Sequence, residues 1–130
     1  MSDIRALIID DEFELISTLV ERLEIRGIDA TGVQTGAAAL EKIAQQPFDV
    51  VVLDIKLKGE SGVDVMKRIK EVRFDIPVLL LTGHMSKDTC DECMQAGAID
   101  YIIKPIDIED LIGKMREAIK VYSAGQGGMR

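Results

Sequence analysis

The sequence is poor in aromatic residues and in the nitrogen and sulfur side chains that bind transition metals. Its 130 residues include one histidine, two cysteines and no tryptophan. A structural zinc site needs about four such ligands, and His84, Cys90 and Cys93 do not reach that number. We therefore interpret Cys90, Cys93 and Met94 as one buried stripe of a helix, because residues at i, i+3 and i+4 share a helix face. A redox or metal role for the two cysteines is the alternative.

Basic charge and long apolar runs are also scarce. The chain has 16 Lys and Arg residues against 23 Asp and Glu residues, which gives a formal net charge of -7. This balance argues against direct nucleic-acid binding, because phosphate groups would be repelled, and it suits a protein that holds a cation. No apolar run approaches the roughly 20 residues of a membrane helix, and the first residues lack the pattern of a signal peptide. We expect a cytoplasmic protein without membrane association.

One pattern repeats along the chain: a short apolar run, a loop and then an amphipathic segment. Continuous apolar runs are typical of parallel strands that are covered on both faces, and strict alternation of strands and helices favours right-handed crossovers. At 130 residues the chain has the length of one domain. We predict an α/β, flavodoxin-like fold, a doubly wound five-stranded parallel sheet in the order 2-1-3-4-5 with helices on both faces. The expected strands are Ala6–Ile9, Ile28–Val33, Val50–Leu53, Val78–Leu81 and Ile99–Ile103.

Capping residues predict where the helices begin and end. The first helix carries an apolar stripe and ends near Gly27, a residue type favoured just after a helix. Pro47 stops the second helix. The stripe consists of Phe13, Ile16, Leu19, Val20 and Leu23, and the expected N-caps of the four later helices are Thr35, Ser61, Ser86 and Asp107.

Polar residues follow four of the five expected strands. Asp10 and Asp11 end the first strand, Asp54 the third, Thr82 the fourth and Lys104 the fifth. In this fold the ligand site lies outside the carboxyl ends of the strands, at the switch point between the first and third strands. Taken singly, each residue has an ordinary structural explanation, such as an acid in the first turn of a helix. Their convergence on one crevice instead predicts a functional site.

The chemistry of this set is coherent. Crowded carboxylates require a divalent cation, and ligands that are all oxygen select a hard ion such as Mg2+, with Mn2+ as the alternative. A lysine offsets the remaining negative charge and can bind a phosphoryl oxygen, and a threonine hydroxyl can bind another. One carboxylate in line with the phosphorus can act as a nucleophile and form an acyl phosphate.

The chain resembles the receiver domains of two-component response regulators over residues 4–122. The resemblance makes residues 1–122 the receiver domain, and the small and polar composition of residues 123–130 indicates a flexible tail or linker stub. The motifs that carry it are Ile8–Glu12, Val52–Gly62, Leu80–Gly83, Ala96–Tyr101 and Lys104-Pro105. The last pair is expected to form a cis peptide bond.

The resemblance implies a role for each residue of the site. Asp54 would be the phosphoacceptor, which takes a phosphoryl group from the phosphohistidine of a sensor histidine kinase or a phosphotransfer protein. Mg2+ would be bound by the side chains of Asp11 and Asp54 and by the backbone carbonyl of Lys56, with Asp10 acting mainly through water. Lys104 would bind a phosphoryl oxygen and assist the transfer.

Further roles concern signalling and the lifetime of the phosphorylated state. Thr82 and Gly83 would complete the phosphoryl-binding site, and Thr82 and Tyr101 would form a switch that changes conformation on phosphorylation. This change would alter the face formed by the fourth helix, fifth strand and fifth helix, where an output domain, a target protein or a second copy docks after phosphorylation. Lys56 and His84 would tune hydrolysis, and we expect slow self-dephosphorylation rather than enzymatic turnover. The chain departs from the family pattern at Lys58, Glu60 and Ser61, where proline, methionine and aspartate are common.

Three alternatives have different sequence signatures. A magnesium-dependent phosphohydrolase of the haloacid-dehalogenase type also forms an aspartyl phosphate, but its nucleophile lies in an Asp-x-Asp motif after the first strand. A receiver-fold binding module that is never phosphorylated usually lacks part of the acid, threonine and lysine set. A flavin-binding protein of this fold would have a Ser/Thr/Gly-rich loop after the first strand.

Overall fold

The computed structural model describes residues 4–83 and 87–128, and for Lys87, Cys90 and residues 124–128 it describes the backbone alone. Strands and helices alternate along these residues, except that three strands follow one another between α2 and α3. The strands are β1 Arg5–Ile9, β2 Asp29–Val33, β3 Val50–Asp54, β4 Lys56–Leu57, β5 Glu60–Ser61, β6 Val78–Thr82 and β7 Asp100–Ile103. The helices are α1 Phe13–Ile25, α2 Gly36–Gln45, α3 Gly62–Val72, α4 Lys87–Gln95 and α5 Ile108–Gly128.

Five of the strands form one parallel sheet in the order β2-β1-β3-β6-β7. Because β6 and β7 are the fourth and fifth of the expected strands, this order confirms the predicted 2-1-3-4-5 topology. The other two strands, β4 and β5, form a small antiparallel hairpin directly after β3. This hairpin could not be predicted from the sequence, because two-residue strands are too short to show a hydrophobic period.

The core has two layers, one on each face of the sheet. Successive strand residues point to opposite faces, so Leu7 and Ile9 pack in one cluster with residues of α2, α3 and α4. Ala6 and Ile8 pack in the other cluster with residues of α1 and α5. Both clusters exclude water from the central strands, which explains why these strands are continuously apolar in sequence.

Most of the predicted helix caps are present. The side chains of Thr35 and Ser61 accept hydrogen bonds from the backbone at the starts of α2 and α3, and Asp107 Oδ1 accepts from two amides at the start of α5. Gly27, after α1, has a positive φ of 82°, which glycine adopts without strain. The predicted cap Ser86 lies outside the described residues.

Two predictions of burial are wrong. Phe13 begins α1 and is 66% exposed, and Met94 is 39% exposed. Both residues lie at the edge of the apolar stripe of their helix, so helical spacing indicates which face they occupy but not whether they are buried. Cys93 is fully buried as a free cysteine, in agreement with a packing role. The side chain of Cys90 lies outside the described part of the chain.

Helix α5 is longer than the sequence suggested, because it continues to Gly128. Residues 123–128 are therefore helical, whereas they were expected to belong to a flexible tail or linker stub; the domain boundary at residue 122 stays a prediction. The peptide bond between Lys104 and Pro105 is cis, as expected. Within residues 4–83 and 87–128, no helix has the length and apolar composition that a bilayer crossing requires.

Candidate functional site at the carboxyl edge of the sheet

The strand ends bring the predicted polar residues to one edge of the sheet. β1 runs into Asp10 and Asp11, β3 ends at Asp54, and β7 is followed by Lys104. These strands are parallel neighbours or near neighbours, so their carboxyl ends meet. They border a crevice of about 310 Å³ that is lined by Asp11, Glu12, Asp54, Lys56, Gly83 and Lys104.

Four carboxylates form the acidic cluster of this crevice. Asp10, Asp11, Glu12 and Asp54 each place one oxygen within 4.8 Å of the others. Asp10 is fully buried and Asp54 is 5% exposed, so water screens their charges poorly. Like charges at this spacing repel each other, and the cluster therefore needs positive charge nearby.

Lys104 supplies that charge within the described residues. Its Nζ atom lies 3.1 Å from Asp10 Oδ2, 3.1 Å from Glu12 Oε1 and 3.2 Å from Asp54 Oδ2. The backbone N–H of Lys104 donates to the carbonyl oxygen of Thr82 at 2.7 Å. This bond joins the ends of β6 and β7 and fixes the start of the lysine side chain.

The electrostatics of the cluster shift two pKa values. Burial raises the pKa of Asp10, although the Glu12 amide and Lys104 act in the opposite direction. Burial alone would lower the pKa of Lys104, but its contacts with Asp10 and Glu12 outweigh burial and raise that pKa above its usual range. Lys104 therefore stays charged at neutral pH, whereas ionised Asp10 is held in an unfavourable environment.

Backbone amides hold two of the buried carboxylates. Asp10 Oδ1 accepts a hydrogen bond from the N–H of Glu12 at 2.9 Å. Asp54 Oδ1 accepts from the N–H of Lys56 at 3.0 Å. In both cases the donor lies two residues further along the chain, so each strand end turns back on its own carboxylate. The orientation of both acids is thus determined by the local backbone.

Three further predicted site residues lie in or next to strands β6 and β7. Thr82 is the last residue of β6 and is 2% exposed. Next to it, a Cβ atom added to Gly83 would meet Lys104 Cδ at 3.9 Å, an ordinary contact. Tyr101 lies in the edge strand β7 and is 37% exposed. His84, for which we predicted an effect on hydrolysis, lies outside the described residues.

Sequence reasoning missed three contacts of the site. Glu12, which reads as a first-turn acid, contacts Lys104 at 3.1 Å. The backbone N–H of Lys58 donates to Asp11 Oδ2 at 2.7 Å, and Glu60 Oε2 accepts from the N–H of Gly36 at 2.8 Å. The departures from the family pattern at positions 58 and 60 were the available signal, because each introduces a polar group absent from the common residue.

The acidic cluster fits a hard divalent cation. Its donor atoms are all oxygens, the type that Mg2+ prefers. Among the described residues, Asp10 Oδ2 is a buried side-chain oxygen that makes no well-aligned hydrogen bond; the ammonium of Lys104 lies 3.1 Å away as an ion pair. A buried carboxylate oxygen without a well-aligned donor is costly, and a cation or its bound water would satisfy it.

The family model of the response regulator receiver domain matches residues 6–116. The chain therefore belongs to the response regulator receiver family. Among solved structures, a CheY-like receiver domain from Methanospirillum hungatei superposes with a TM-score of 0.88 at 27% identity and covers 93% of this chain and 97% of that chain.

The chain is also similar to parts of regulatory proteins that are longer than itself. The transcriptional regulatory protein ZraR of Klebsiella oxytoca is 35% identical over 113 residues, which are 87% of this chain and 26% of ZraR. KdpE of Mycobacterium tuberculosis is 33% identical over 118 residues, which are 91% of this chain and 52% of KdpE. The chain thus spans about a quarter to a half of the length of these relatives.

Proposed function

We propose that this chain is the phosphoacceptor domain of a two-component phosphorelay, in which Asp54 takes a phosphoryl group in a Mg2+-dependent reaction. The observation that carries the proposal is the cluster of four carboxylates at the carboxyl edge of the sheet, three of which contact the ammonium of Lys104. A site that served stability alone would pair each of these carboxylates with a positive charge of its own.

The proposed ligands of Mg2+ are Asp11, Asp54 and the backbone carbonyl of Lys56, with Asp10 acting through water. When bound, the ion supplies positive charge to the oxygens of the transferring phosphoryl group. Lys104 contributes a second positive charge, and the crevice beside Gly83 leaves room for the group. Metal removal should therefore prevent phosphorylation without unfolding the chain.

In the proposed reaction an Asp54 carboxylate oxygen attacks the phosphorus of a phosphohistidine. The new oxygen–phosphorus bond forms as the phosphorus–nitrogen bond breaks, and the electron pair returns to the imidazole ring, which takes up a proton. Lys104 and the hydroxyl of Thr82 bind the oxygens of the phosphoryl group. The product is an aspartyl phosphate on Asp54 and a free histidine on the donor.

The phosphorylated site is proposed to act on the face formed by α4, β7 and α5, through Thr82 and Tyr101. Partners would be a sensor histidine kinase or phosphotransfer protein, and an output domain, a target protein or a second copy of the chain. We propose that the chain contacts neither nucleic acid nor membrane directly. We also propose a cytoplasmic location. Lys56 would shield the aspartyl phosphate from water, so self-dephosphorylation would be slow.

The decisive experiment treats the protein with a small-molecule phosphodonor and Mg2+ and measures its mass. Wild type should gain one phosphoryl group. Asp54→Asn should gain none, because an amide is a poor nucleophile and the metal loses a charged ligand. Asp49→Asn is the matched control, since Asp49 precedes β3 at the opposite end of the same strand. Stoichiometric labelling of Asp54→Asn would refute the assignment of the phosphoacceptor.

A further inference from the structure

The loop after Asp54 contains a hydrogen bond that the common family sequence cannot form. The backbone N–H of Lys58 donates to Asp11 Oδ2 at 2.7 Å. Proline, the residue often found at this position in the family, has no backbone N–H. The substitution of lysine for proline therefore gives one of the proposed metal ligands a donor from the main chain.

The Lys58 amide belongs to a hairpin that is fixed at several points. Leu57 and Glu60 form the pair that flanks the turn, and Leu57 is buried. The carboxylate of Glu60 accepts from the N–H of Gly36 at the start of α2. At the end of the hairpin, the N–H of Gly62 donates to the carbonyl oxygen of Ile55 at 2.9 Å. The donor is thus held in place independently of Asp11.

The turn of this hairpin consists of Lys58 and Gly59. Gly59 has a positive φ of 78°, whereas Lys58 does not have a positive φ. A negative φ followed by a positive φ is the pattern of a type II turn, which accepts proline at its first central position. Proline at position 58 should therefore keep the backbone of the turn while it removes the donor.

We propose that the backbone amide of Lys58 is a positioning group, which holds the carboxylate of Asp11 in place for a divalent cation. This inference rests on the proposed Mg2+ site. A carboxylate has two oxygens, so one can accept from the amide while the other binds the ion. Without the amide, the partly exposed Asp11 side chain would lose one restraint on its rotation inside a cluster that repels it, and binding would have to restore that order.

The test compares Lys58→Pro with Lys58→Ala in the full chain and measures Mg2+ affinity directly by calorimetry or NMR titration. Lys58→Pro should weaken Mg2+ binding about five-fold, the size expected for one hydrogen bond. Lys58→Ala removes the ammonium but keeps the N–H, so its affinity should stay within about two-fold of wild type. Equal affinities of the two variants would overturn the proposal.

Amide hydrogen exchange provides a second measurement that does not require a proline variant. Without metal, the Lys58 amide should exchange more slowly in wild type than in Asp11→Ala, because the variant lacks the carboxylate that accepts its hydrogen bond. The Lys56 amide, which donates to Asp54, is the internal reference and should not change. Identical exchange of the Lys58 amide in both proteins would show that the bond does not form in solution and would overturn the proposal.

These outcomes also separate this inference from the proposed function. If Asp11→Ala loses Mg2+ affinity but Lys58→Pro does not, the metal site stands and the positioning role is wrong. If wild type itself does not bind Mg2+, the metal site and the positioning role are both wrong. Unfolding of each variant in urea without Mg2+ gives the third comparison, because a purely structural role would lower stability and leave the affinity of the folded protein unchanged.

Discussion

The two ends of the central sheet carry charges in different arrangements. At the carboxyl edge, four carboxylates form one cluster, and three of them contact the ammonium of Lys104. At the amino edge, two acids each pair with an arginine: Arg5 pairs with Asp49, and Arg73 pairs with Asp75. These pairs border a second cavity, of about 220 Å³. The same sheet therefore presents a cluster of like charges at one end and separate arginine–carboxylate pairs at the other.

The pKa values reflect this difference. At the amino edge, burial would raise the pKa of Asp49, but hydrogen bonds from the Arg5 side chain and backbone outweigh it and lower the pKa. The hydrogen bond from Arg73 likewise lowers the pKa of Asp75. At the carboxyl edge, burial raises the pKa of Asp10. Ionised acids thus stabilise the fold at one edge, whereas ionised Asp10 destabilises it at the other, and perturbed pKa values of this kind cluster at functional sites.

The largest effect should come from the backbone that supports the carboxyl edge. A Cβ atom at Gly62 would lie 2.3 Å from the carbonyl oxygen of Ile55 and 2.6 Å from its Cα. Backbone atoms cannot yield as a flexible side chain can, so Gly62→Ala should lower the free energy of unfolding by about 3 kcal/mol. Urea denaturation measures this change. Mg2+ binding should weaken as well, because the displaced hairpin carries Lys56 and Lys58.

Gly113→Ala is the matched control for that substitution. Gly113 lies in α5, and a Cβ atom there has no heavy atom within 4 Å. Alanine is favoured over glycine inside a helix, so this variant should be more stable by about 0.5–1 kcal/mol. Equal destabilisation by both substitutions would contradict the role assigned to the close contact at Gly62.

A smaller effect, of opposite sign at the two edges, should follow from neutralising one acid at each. Asp49→Asn should destabilise the protein by about 1 kcal/mol, because it weakens a two-point contact with Arg5. Asp11→Asn should stabilise the metal-free protein by about 0.5 kcal/mol, since it removes a repelling charge and keeps an acceptor for Lys58. Urea denaturation without Mg2+ measures both. The same sign for both would mean that the edges do not differ as described.

The Asp49 effect should depend on pH in a defined direction. Because the folded state lowers the pKa of Asp49, this acid stabilises the fold above its unfolded-state pKa of about 3.9. That contribution is lost as the pH falls through the lowered pKa. The stability difference between wild type and Asp49→Asn should therefore be constant near neutral pH and disappear in strong acid.

The smallest effect should be that of Gly83→Ala. The added methyl group would contact Lys104 Cδ at 3.9 Å and would face the open crevice. We expect the free energy of unfolding to change by less than about 0.5 kcal/mol and phosphorylation of Asp54 to persist. Loss of phosphorylation in a stably folded Gly83→Ala protein, measured by mass, would show that this crevice is narrower in solution than its contacts imply.

The main features of the fold were predictable because they depend on patterns that the chain repeats. Apolar runs such as Val50–Leu53 and Val78–Leu81 are continuous because both faces of the sheet are covered, and this alone indicates a parallel arrangement. The polar residues at the strand ends then follow from topology, since parallel strands end at one edge. The convergence of Asp54 with Lys104 could be inferred without knowing any distance.

The contacts of the hairpin could not be predicted in the same way. They depend on single backbone amides, such as that of Lys58, whose partners are chosen by loop geometry rather than by hydrophobic period. The exposure of Phe13 was missed for a related reason. Helical spacing gives the face of a residue, but it does not tell how far the neighbouring loop covers the first turn.

The contacts of the Lys104 ammonium also affect how the site binds anions. An ammonium group has three N–H donors, and three carboxylates already lie within 3.2 Å of Lys104 Nζ. Any anion that reaches this lysine therefore competes with the resident carboxylates, so the free energy of binding is a difference between two similar interactions. Such competition favours an anion that carries more charge than each of these carboxylates. Because Lys104 has only three N–H donors, the site should prefer anions that carry two charges.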